Sequence, residues 1–235
     1  NQERGNQTNA NTRIVGQPGM GKSQFLMHLL ASAATRAPLG VVLLDYKGDL
    51  AANARFVDAL GAKVVRPERE PIPINPFDLP PGLDERLIAP GLADTIAGLV
   101  TSAGDVQRDC LRKGIRAAYA FERAPTAKDI QRAVEMEYAA RKRGPDSISA
   151  MLEQLADFGL FETETRMGPE AFLSRRWIFD LSGLQSLREL AAFVLLEWIA
   201  RHVQSLPDTA QHQGLRRLRA LLAIDEAHHY LRRDR

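Results

Sequence analysis

The sequence predicts an α/β protein in which helices flank a mostly parallel β-sheet and the chain carries an all-helical insertion. Short apolar runs alternate with helical patterns toward both ends of the chain, and this β-α-β order favours parallel strands covered on both faces. Between residues 83 and 168 strand-like runs disappear and helical periodicity replaces them. We therefore predict a core from residues 12–82 and 169–235, a helical insertion over 83–168, and a disordered polar tail over 1–11.

A glycine-rich loop near the start of the core gives the strongest functional signal. Residues 16–23 read Gly-Gln-Pro-Gly-Met-Gly-Lys-Ser and match G-x-x-x-x-G-K-[ST] at every position. In this pattern backbone N–H groups and a helix N-terminus face phosphate oxygens, the lysine supplies a positive charge, and the hydroxyl binds Mg²⁺. We therefore predict ATP and Mg²⁺ as ligands, with Lys22 also catalytic and Ser23 also a metal ligand. The predicted phosphate-binding residues are Gly16, Pro18, Gly19, Met20, Gly21, Lys22, Ser23 and Gln24.

The elements around this loop follow from apolar runs and their spacing. The predicted strands are 12–15, 40–45 and 62–66, and the predicted helices are 23–34 and 49–60. The helix after the loop has an apolar face formed by Phe25, Leu26, Leu29, Leu30 and Ala33. Six prolines lie between residues 67 and 82, and they predict an extended connector there.

The remaining elements are mostly helical. Predicted helices are 84–103, 105–123, 126–143, 146–158 and 187–204, and predicted strands are 177–181 and 221–226. Pro90 and Gly91 predict a break in the first of these helices. Thr126 and Asp129 have the spacing of a capping box and predict where the third begins.

Two acids follow the last predicted strand. Asp225 and Glu226 end an apolar run, which places both carboxylates at the carboxyl end of a parallel sheet, where ligands bind in open α/β folds. We predict that Asp225 binds Mg²⁺ and that Glu226 is the general base that polarises the attacking water. A buried strand with a solvated acidic end is the simpler alternative. Asp45 and Lys47, after the second strand, fit either a role near the γ-phosphate or a subunit boundary, or a turn with an internal ion pair.

Composition limits the class of protein. The chain has 235 residues, 45% of them hydrophobic and 26% charged, which is ordinary for a globular protein. Its net charge of +2 means that any nucleic-acid contact must come from a local patch. One cysteine, Cys110, excludes a disulfide within the chain, which fits a reducing cytoplasm. No apolar run approaches the roughly 20 residues that span a membrane, so we expect no stable membrane insertion.

Basic clusters are candidates for such a patch. They occur at 112–116, 141–143, 175–176, 216–219 and 232–233. Each fits either a contact with DNA phosphates or a solvated helix face. No base-reading motif is present, so sequence-independent contact with the DNA backbone is the expected mode.

Several further segments resemble the HerA–FtsK class of P-loop ATPases, in particular its HerA and secretion-ATPase branch. These segments are Asp45-Tyr46-Lys47-Gly48-Asp49, Asn75-Pro76-Phe77, Asp180-Leu181-Ser182-Gly183-Leu184 and Asp225-Glu226-Ala227-His228. The resemblance implies a RecA-like fold, ATP hydrolysis coupled to movement along duplex DNA, and a homo-oligomer, expected to be a hexameric ring. The chain is also similar to the ATPases of phosphorothioation-dependent restriction systems. This similarity implies a role in anti-phage defence and a nuclease as a possible partner.

The chain departs from the pattern of this class in two respects. It has Pro18-Gly19 where the class often has Thr before the central Gly. In the sheet of this class, a further strand lies between the strand before the glycine-rich loop and the strand that ends in the two acids. In the sequence, that further strand usually follows the acids. We therefore expect a gap or groove beside the strand before the loop. The sensor residue and the arginine finger are expected beyond Arg235.

Three functions remain open. The first is a DNA-translocating ATPase for DNA processing or defence. The second is a conjugation or type IV secretion ATPase. The third is a nucleotide-dependent switch or assembly module that hydrolyses little ATP.

Overall fold

The computed structural model describes residues 11–80, 82–100, 103–212 and 215–229, and the tail predicted over 1–11 lies outside these ranges except for Asn11. The helices are α1 (Lys22–Arg36), α2 (Ala54–Leu60), α3 (Glu85–Gly98), α4 (Asp105–Phe121), α5 (Ala127–Ala140), α6 (Ser147–Asp157), α7 (Pro169–Ser174) and α8 (Arg188–Ser205). The strands are β1 (Gly40–Asp45), β2 (Lys63–Val65), β3 (Arg176–Asp180), β4 (Gln211–His212), β5 (Leu215–Arg216) and β6 (Ala220–Ile224).

Four strands form a parallel sheet in the order β2-β3-β1-β6. In its centre Leu43 of β1 lies opposite Ile178 of β3 on one side and Ala223 of β6 on the other. All six residues of β1 are buried, as expected for a parallel strand with helices on both faces. The predicted α/β class with a mostly parallel sheet is therefore confirmed.

The two faces of the sheet pack against different helices because side chains alternate along each strand. Val41 and Leu43 of β1 face α1 and α2, where Leu30, Phe56 and Leu60 complete one apolar cluster. Residues of the other parity belong to a second, larger cluster, which also takes its members from α3 to α8. Its strand members are Val42, Leu44, Val65, Trp177 and Phe179. The helical middle of the chain thus covers one face of the sheet.

The strand predicted at 12–15 is wrong. These residues form no strand, and Val15 is 71% exposed. A strand needs a neighbour to satisfy its backbone groups. Within the described ranges β6 pairs only with β1, so no strand lies beyond it with which residues 12–15 could pair.

The face predicted for the helix after the loop is also partly wrong. Leu30 is buried, but Phe25 and Leu29 are 54% and 40% exposed. Ala34 is buried instead, one turn after Leu30. The buried stripe of α1 is narrower than its apolar residues suggest, and it packs against both β1 and α2.

Two predictions about helix boundaries had different outcomes. The capping box is confirmed: Thr126 Oγ1 accepts from Asp129 N, and the Asp129 carboxylate accepts from Thr126 N. The break at Pro90 is wrong, because α3 continues through it. Burial of residues on both sides of the proline, Ala89 and Leu92 among them, outweighs the hydrogen bond that proline cannot donate.

The proline-rich connector forms no helix in its described residues, but the predicted extended conformation is wrong. It is a series of turns, because N–H groups of Arg69 and Glu70 donate to Arg66 O and that of Asp78 donates to Asn75 O.

Helix α8 holds this segment in place. Trp198 Nε1 donates to Asp78 Oδ1 over 2.6 Å, and an Arg201 Nη atom donates to Pro76 O over 2.6 Å. The first of these hydrogen bonds is partly buried and the second is buried. Buried polar groups are satisfied in this way when a segment without its own ladder crosses a core.

Candidate functional site

Three carboxylates meet where neighbouring strands end. Asp45 ends β1 and lies opposite Asp180, the last residue of β3. Asp225 follows β6, and its N–H donates to Leu44 O over 2.9 Å, which extends the ladder to the end of the sheet. Glu226 comes next. The carboxyl edge of this parallel sheet is therefore strongly acidic.

Burial makes this acidity costly. It raises the pKa of Asp225, and the negative charges of Asp45 and Glu226 raise that pKa further. Burial also raises the pKa of Asp45, although N–H groups of Ala51 and Gly48 donate to its carboxylate over 2.8 and 2.9 Å. A cation bound at this edge would relieve the repulsion.

The loop of residues 16–23 lies at the start of α1, and Arg176 shows which way that helix runs. Arg176 begins β3, and its guanidinium donates to Ala34 O in the last turn of α1 over 2.8 Å. The tail of α1 therefore lies at the amino edge of the sheet. Helix α1 is about 22 Å long and β1 about 20 Å, so a helix that runs back along the sheet from this tail is long enough to bring its head to the level of the carboxyl edge.

The head of α1 is open to solvent and to an anion. Gly19 and Gly21 have φ values of 79° and 78°, a conformation that glycine adopts without a Cβ clash. The first turn of α1 has no acidic residue, and its N-cap, Gly21, has no side chain to cap the turn. The first N–H groups of a helix have no partner within it, so they are available to an anion.

Lys22 lies over its own loop. Its Nζ donates to Gly16 O over 2.9 Å and to Gln17 O over 3.0 Å. An ammonium group held by two carbonyls at the head of a helix remains close to the backbone N–H groups. Lys22 and the loop amides therefore form one positive region, and the acids at the ends of the strands form a negative one.

The donor set suits Mg²⁺ bound to a phosphate. Within the described ranges no group of three or more His, Cys, Asp or Glu side chains is arranged to hold a metal ion by itself. Mg²⁺ usually keeps several waters and takes one or two protein oxygens together with phosphate oxygens. Ser23 at the head of α1 and Asp225 after β6 provide oxygens of that kind.

Glu226 has a partner that the sequence did not reveal. Lys47, in the turn after β1, forms an ion pair with Glu226 Oε1. His228 Nδ1 lies 3.1 Å from the other carboxylate oxygen. The internal ion pair considered for Asp45 and Lys47 is wrong, because Asp45 instead accepts from backbone N–H groups of its own turn. Only the fact that β1 and β6 are neighbours could have predicted the pairing of Lys47 with Glu226.

The basic clusters of the helical middle are partly neutralised. Asp109 forms ion pairs with Arg112, Lys113 and Arg141. Hydrogen bonds from the three cations, Arg141 first, hold the pKa of Asp109 far below its usual range. Arg143 forms a further pair with Asp146 at 3.7 Å. Ion pairs within α4, and one between α4 and the end of α5, thus account for part of the charge in these two clusters.

A separate cavity of about 460 Å³ lies beyond the end of β3. The segment 183–187, which precedes α8, forms part of its lining. Glu68 is the one charged side chain among the residues that line it. It offers no positive charge to a phosphate, so the candidate nucleotide site remains the head of α1.

Comparison with known proteins supports the fold. The solved structure of VirB4 of Thermoanaerobacter pseudethanolicus is similar to this chain, with a TM-score of 0.66 and 17% sequence identity. The similarity covers 96% of this chain and 62% of VirB4, so the chain spans less than two thirds of that protein. The chain therefore has the same fold as the matched part of VirB4.

Neither a protein-family profile nor the sequence of a curated protein matches the chain. In the part of the chain that the structure describes, no helix is both long enough and apolar enough to cross a membrane.

Proposed function

We propose that the chain is the ATP-hydrolysing part of a motor of the HerA–FtsK type that moves duplex DNA. The observation that carries this proposal is the direction of α1: its tail is bound to the amino end of β3, so its uncapped head is directed toward the carboxyl edge, where Asp225 and Glu226 follow β6. Fold similarity to VirB4 over 96% of the chain supports it.

In this proposal the loop and the acids have separate tasks. Backbone N–H groups of residues 19–24 and the Lys22 ammonium bind the β- and γ-phosphates. Ser23 and Asp225 hold Mg²⁺, which neutralises charge on the phosphate oxygens. Glu226 orients a water molecule for in-line attack and accepts its proton. An arginine from a neighbouring subunit of a ring, expected to be a hexamer, completes the site.

Nucleotide binding is the first test. We expect isothermal titration calorimetry with Mg-ATP to detect binding to the unchanged chain and none to Lys22→Ala, while circular dichroism shows the same fold in both. Lys63→Ala is the matched control, since Lys63 is an exposed lysine on β2. Normal ATP binding by Lys22→Ala would show that the site is wrongly assigned.

Hydrolysis and its dependence on DNA are the second test. We expect Glu226→Gln to bind Mg-ATP and to lose turnover by about 100-fold or more, as general bases contribute about 10²–10⁴-fold. Duplex DNA should raise the turnover of the unchanged chain, and this stimulation should weaken as salt increases. If Glu226→Gln turns over at the unchanged rate, the chain is a nucleotide-dependent switch instead.

A conjugation or type IV secretion ATPase is the second candidate, and the fold similarity to VirB4 is the observation that favours it. Turnover that depends on Glu226 but does not respond to duplex DNA at low salt would decide for this candidate against the first.

A further inference from the structure

The ion pair between Lys47 and Glu226 joins two turns that lie far apart in the sequence. The residues are 179 positions apart and follow the neighbouring strands β1 and β6. Glu226 is the residue to which the proposed function gives the attacking water. A side chain that fixes the carboxylate of Glu226 therefore bears on hydrolysis.

The turn that carries Lys47 is firmly braced. Asp45, which is fully buried, accepts from the N–H groups of Gly48 and Ala51. Gly48 has φ of 81°, and a Cβ atom there would lie 2.7 Å from Ser182 Oγ and 3.0 Å from Asp180 Oδ1. Bonds on one side and close packing on the other leave this turn little freedom. Lys47 therefore extends from a fixed point.

Glu226, by contrast, has an unfavourable backbone. Its φ is 51°, in the left-handed region that costs a residue with a Cβ about 1–2 kcal/mol. Such conformations persist where the surrounding structure imposes them, and they concentrate at functional sites. The side chain carried on this backbone forms the ion pair with Lys47.

Stability does not explain the pair. The side chain of Lys47 is 54% exposed and that of Glu226 22% exposed. Ion pairs at such exposure contribute about 0–1 kcal/mol to folding. Nearby acids raise the pKa of Lys47, Glu226 first and then Asp225 and Asp49. Lys47 is thus a cation placed beside Glu226 at the acidic edge of the sheet, where Arg66 pairs separately with Asp180 at 3.1 Å.

We propose that Lys47 is a positioning residue for Glu226: its ammonium group holds the carboxylate in the orientation from which Glu226 activates water. This inference rests on the proposed function. Lys47 acts through Glu226 and does not itself bind the phosphates, which are left to Lys22 and the loop.

The first experiment measures kcat and KM for ATP in Lys47→Ala, Lys47→Arg and the control Lys63→Ala. Lys63 is 53% exposed and paired with Glu70, so it matches Lys47 in exposure and in kind of partner. We expect Lys47→Ala to lower kcat by about 10- to 100-fold, because a small misplacement of a reacting group has effects of this size. We also expect an unchanged KM, partial recovery of kcat in Lys47→Arg, and no effect of Lys63→Ala.

The second experiment repeats Lys47→Ala in the Glu226→Gln background and measures single-turnover hydrolysis. If Lys47 acts through Glu226, the second substitution lowers the rate no further. A further loss as large as in the unchanged background would overturn the inference, because it would place Lys47 on the phosphates. A higher kcat in Lys47→Ala would also overturn it, since the pair would then restrain Glu226.

The two proposals fail in different ways. If Glu226→Gln leaves turnover unchanged, the proposed function is wrong and the inference about Lys47 is wrong with it. If Glu226→Gln slows turnover and Lys47→Ala does not, only the inference about Lys47 is wrong.

Discussion

Gly48 and Ser182 lie in direct contact across the carboxyl edge of the sheet. A Cβ atom at position 48 would approach Ser182 Oγ to 2.7 Å. The Ser182 hydroxyl in turn donates to Asp180 Oδ1 over 2.6 Å. The turns that follow β1 and β3 thus pack as one unit, and this unit carries Lys47.

Gly48→Ala should therefore damage both stability and turnover. The left-handed φ alone costs about 1–2 kcal/mol for alanine, and the clash with Ser182 adds to this. Gly82→Ala is the matched control, because Gly82 has φ of 83° but open space around its Cβ position. We expect urea unfolding to show a larger loss for Gly48→Ala, and kinetics to show a lower kcat for this variant alone. Equal losses in both variants would mean that the contact with Ser182 has no effect.

Gly114→Ala should destabilise the helical middle of the chain. A Cβ atom at Gly114 of α4 would lie 2.5–2.8 Å from atoms of Val134 on α5, including its backbone. Gly91, inside α3, has nothing within 4 Å of its Cβ position. We expect urea unfolding to show a loss of about 1–3 kcal/mol for Gly114→Ala and a gain of about 0.5–1 kcal/mol for Gly91→Ala. A gain in both variants would contradict close packing of α4 on α5.

Arg201→Met should also be strongly destabilising. Arg201 is buried and lies 3.2 Å from Glu197, whose pKa is raised by burial. Removing one member of a buried pair leaves an uncompensated charge and costs about 3–5 kcal/mol. Arg132→Met, at an exposed arginine paired with Asp129, is the control and should change stability by less than about 1 kcal/mol. Similar thermal midpoints for the two variants would contradict the burial of Arg201.

Asp225→Asn should stabilise the protein without Mg-ATP, and only above acidic pH. Burial and the neighbouring acids raise the pKa of Asp225 above its ordinary 3.8, so the folded state binds the proton more tightly than the unfolded state does. Stability from this group is therefore present below pH 3.8 and is lost as pH rises through the folded pKa. Asparagine carries no charge and avoids that loss.

Thermal melts of both proteins from pH 3 to 8 measure this effect. We expect Asp225→Asn to be more stable by about 0.5–2 kcal/mol at neutral pH, with the difference vanishing at the acid end. Asp49→Asn, at an exposed carboxylate of the neighbouring turn, is the control and should show no such gain. A gain that persists at pH 3 would mean that charge is not its cause.

Local sequence patterns predicted the features that depend on nearby residues. The glycine-rich loop, the acids after β6 and the capping box of Thr126 and Asp129 each lie within a few consecutive positions. The physical cause of each feature lies within the same stretch of sequence. These causes are glycines with a left-handed backbone, side chains that alternate along a strand, and a hydroxyl that reaches the next turn of a helix. Such features can be predicted without the fold.

Features that depend on distant residues were missed. A strand at 12–15 requires a neighbouring strand, and the helix break at Pro90 competes with burial supplied by other helices. The partner of Glu226 is 179 positions away, and it could be identified only once β1 and β6 were known to be adjacent. Short-range patterns carry no information about such pairs.

Arg176 has a mechanical consequence. Its guanidinium donates to Ala34 O, Leu39 O and Leu60 O, so one side chain fastens the tails of α1 and α2 and the segment before β1 to the base of β3. Helix α1 is thus anchored at one end and open at the other. When a ligand binds at the open end of α1, we expect the helix to tilt about the end bound by Arg176 and not to shift along its own axis. A spectroscopic label near Ala34 should then stay still while one near Met20 moves.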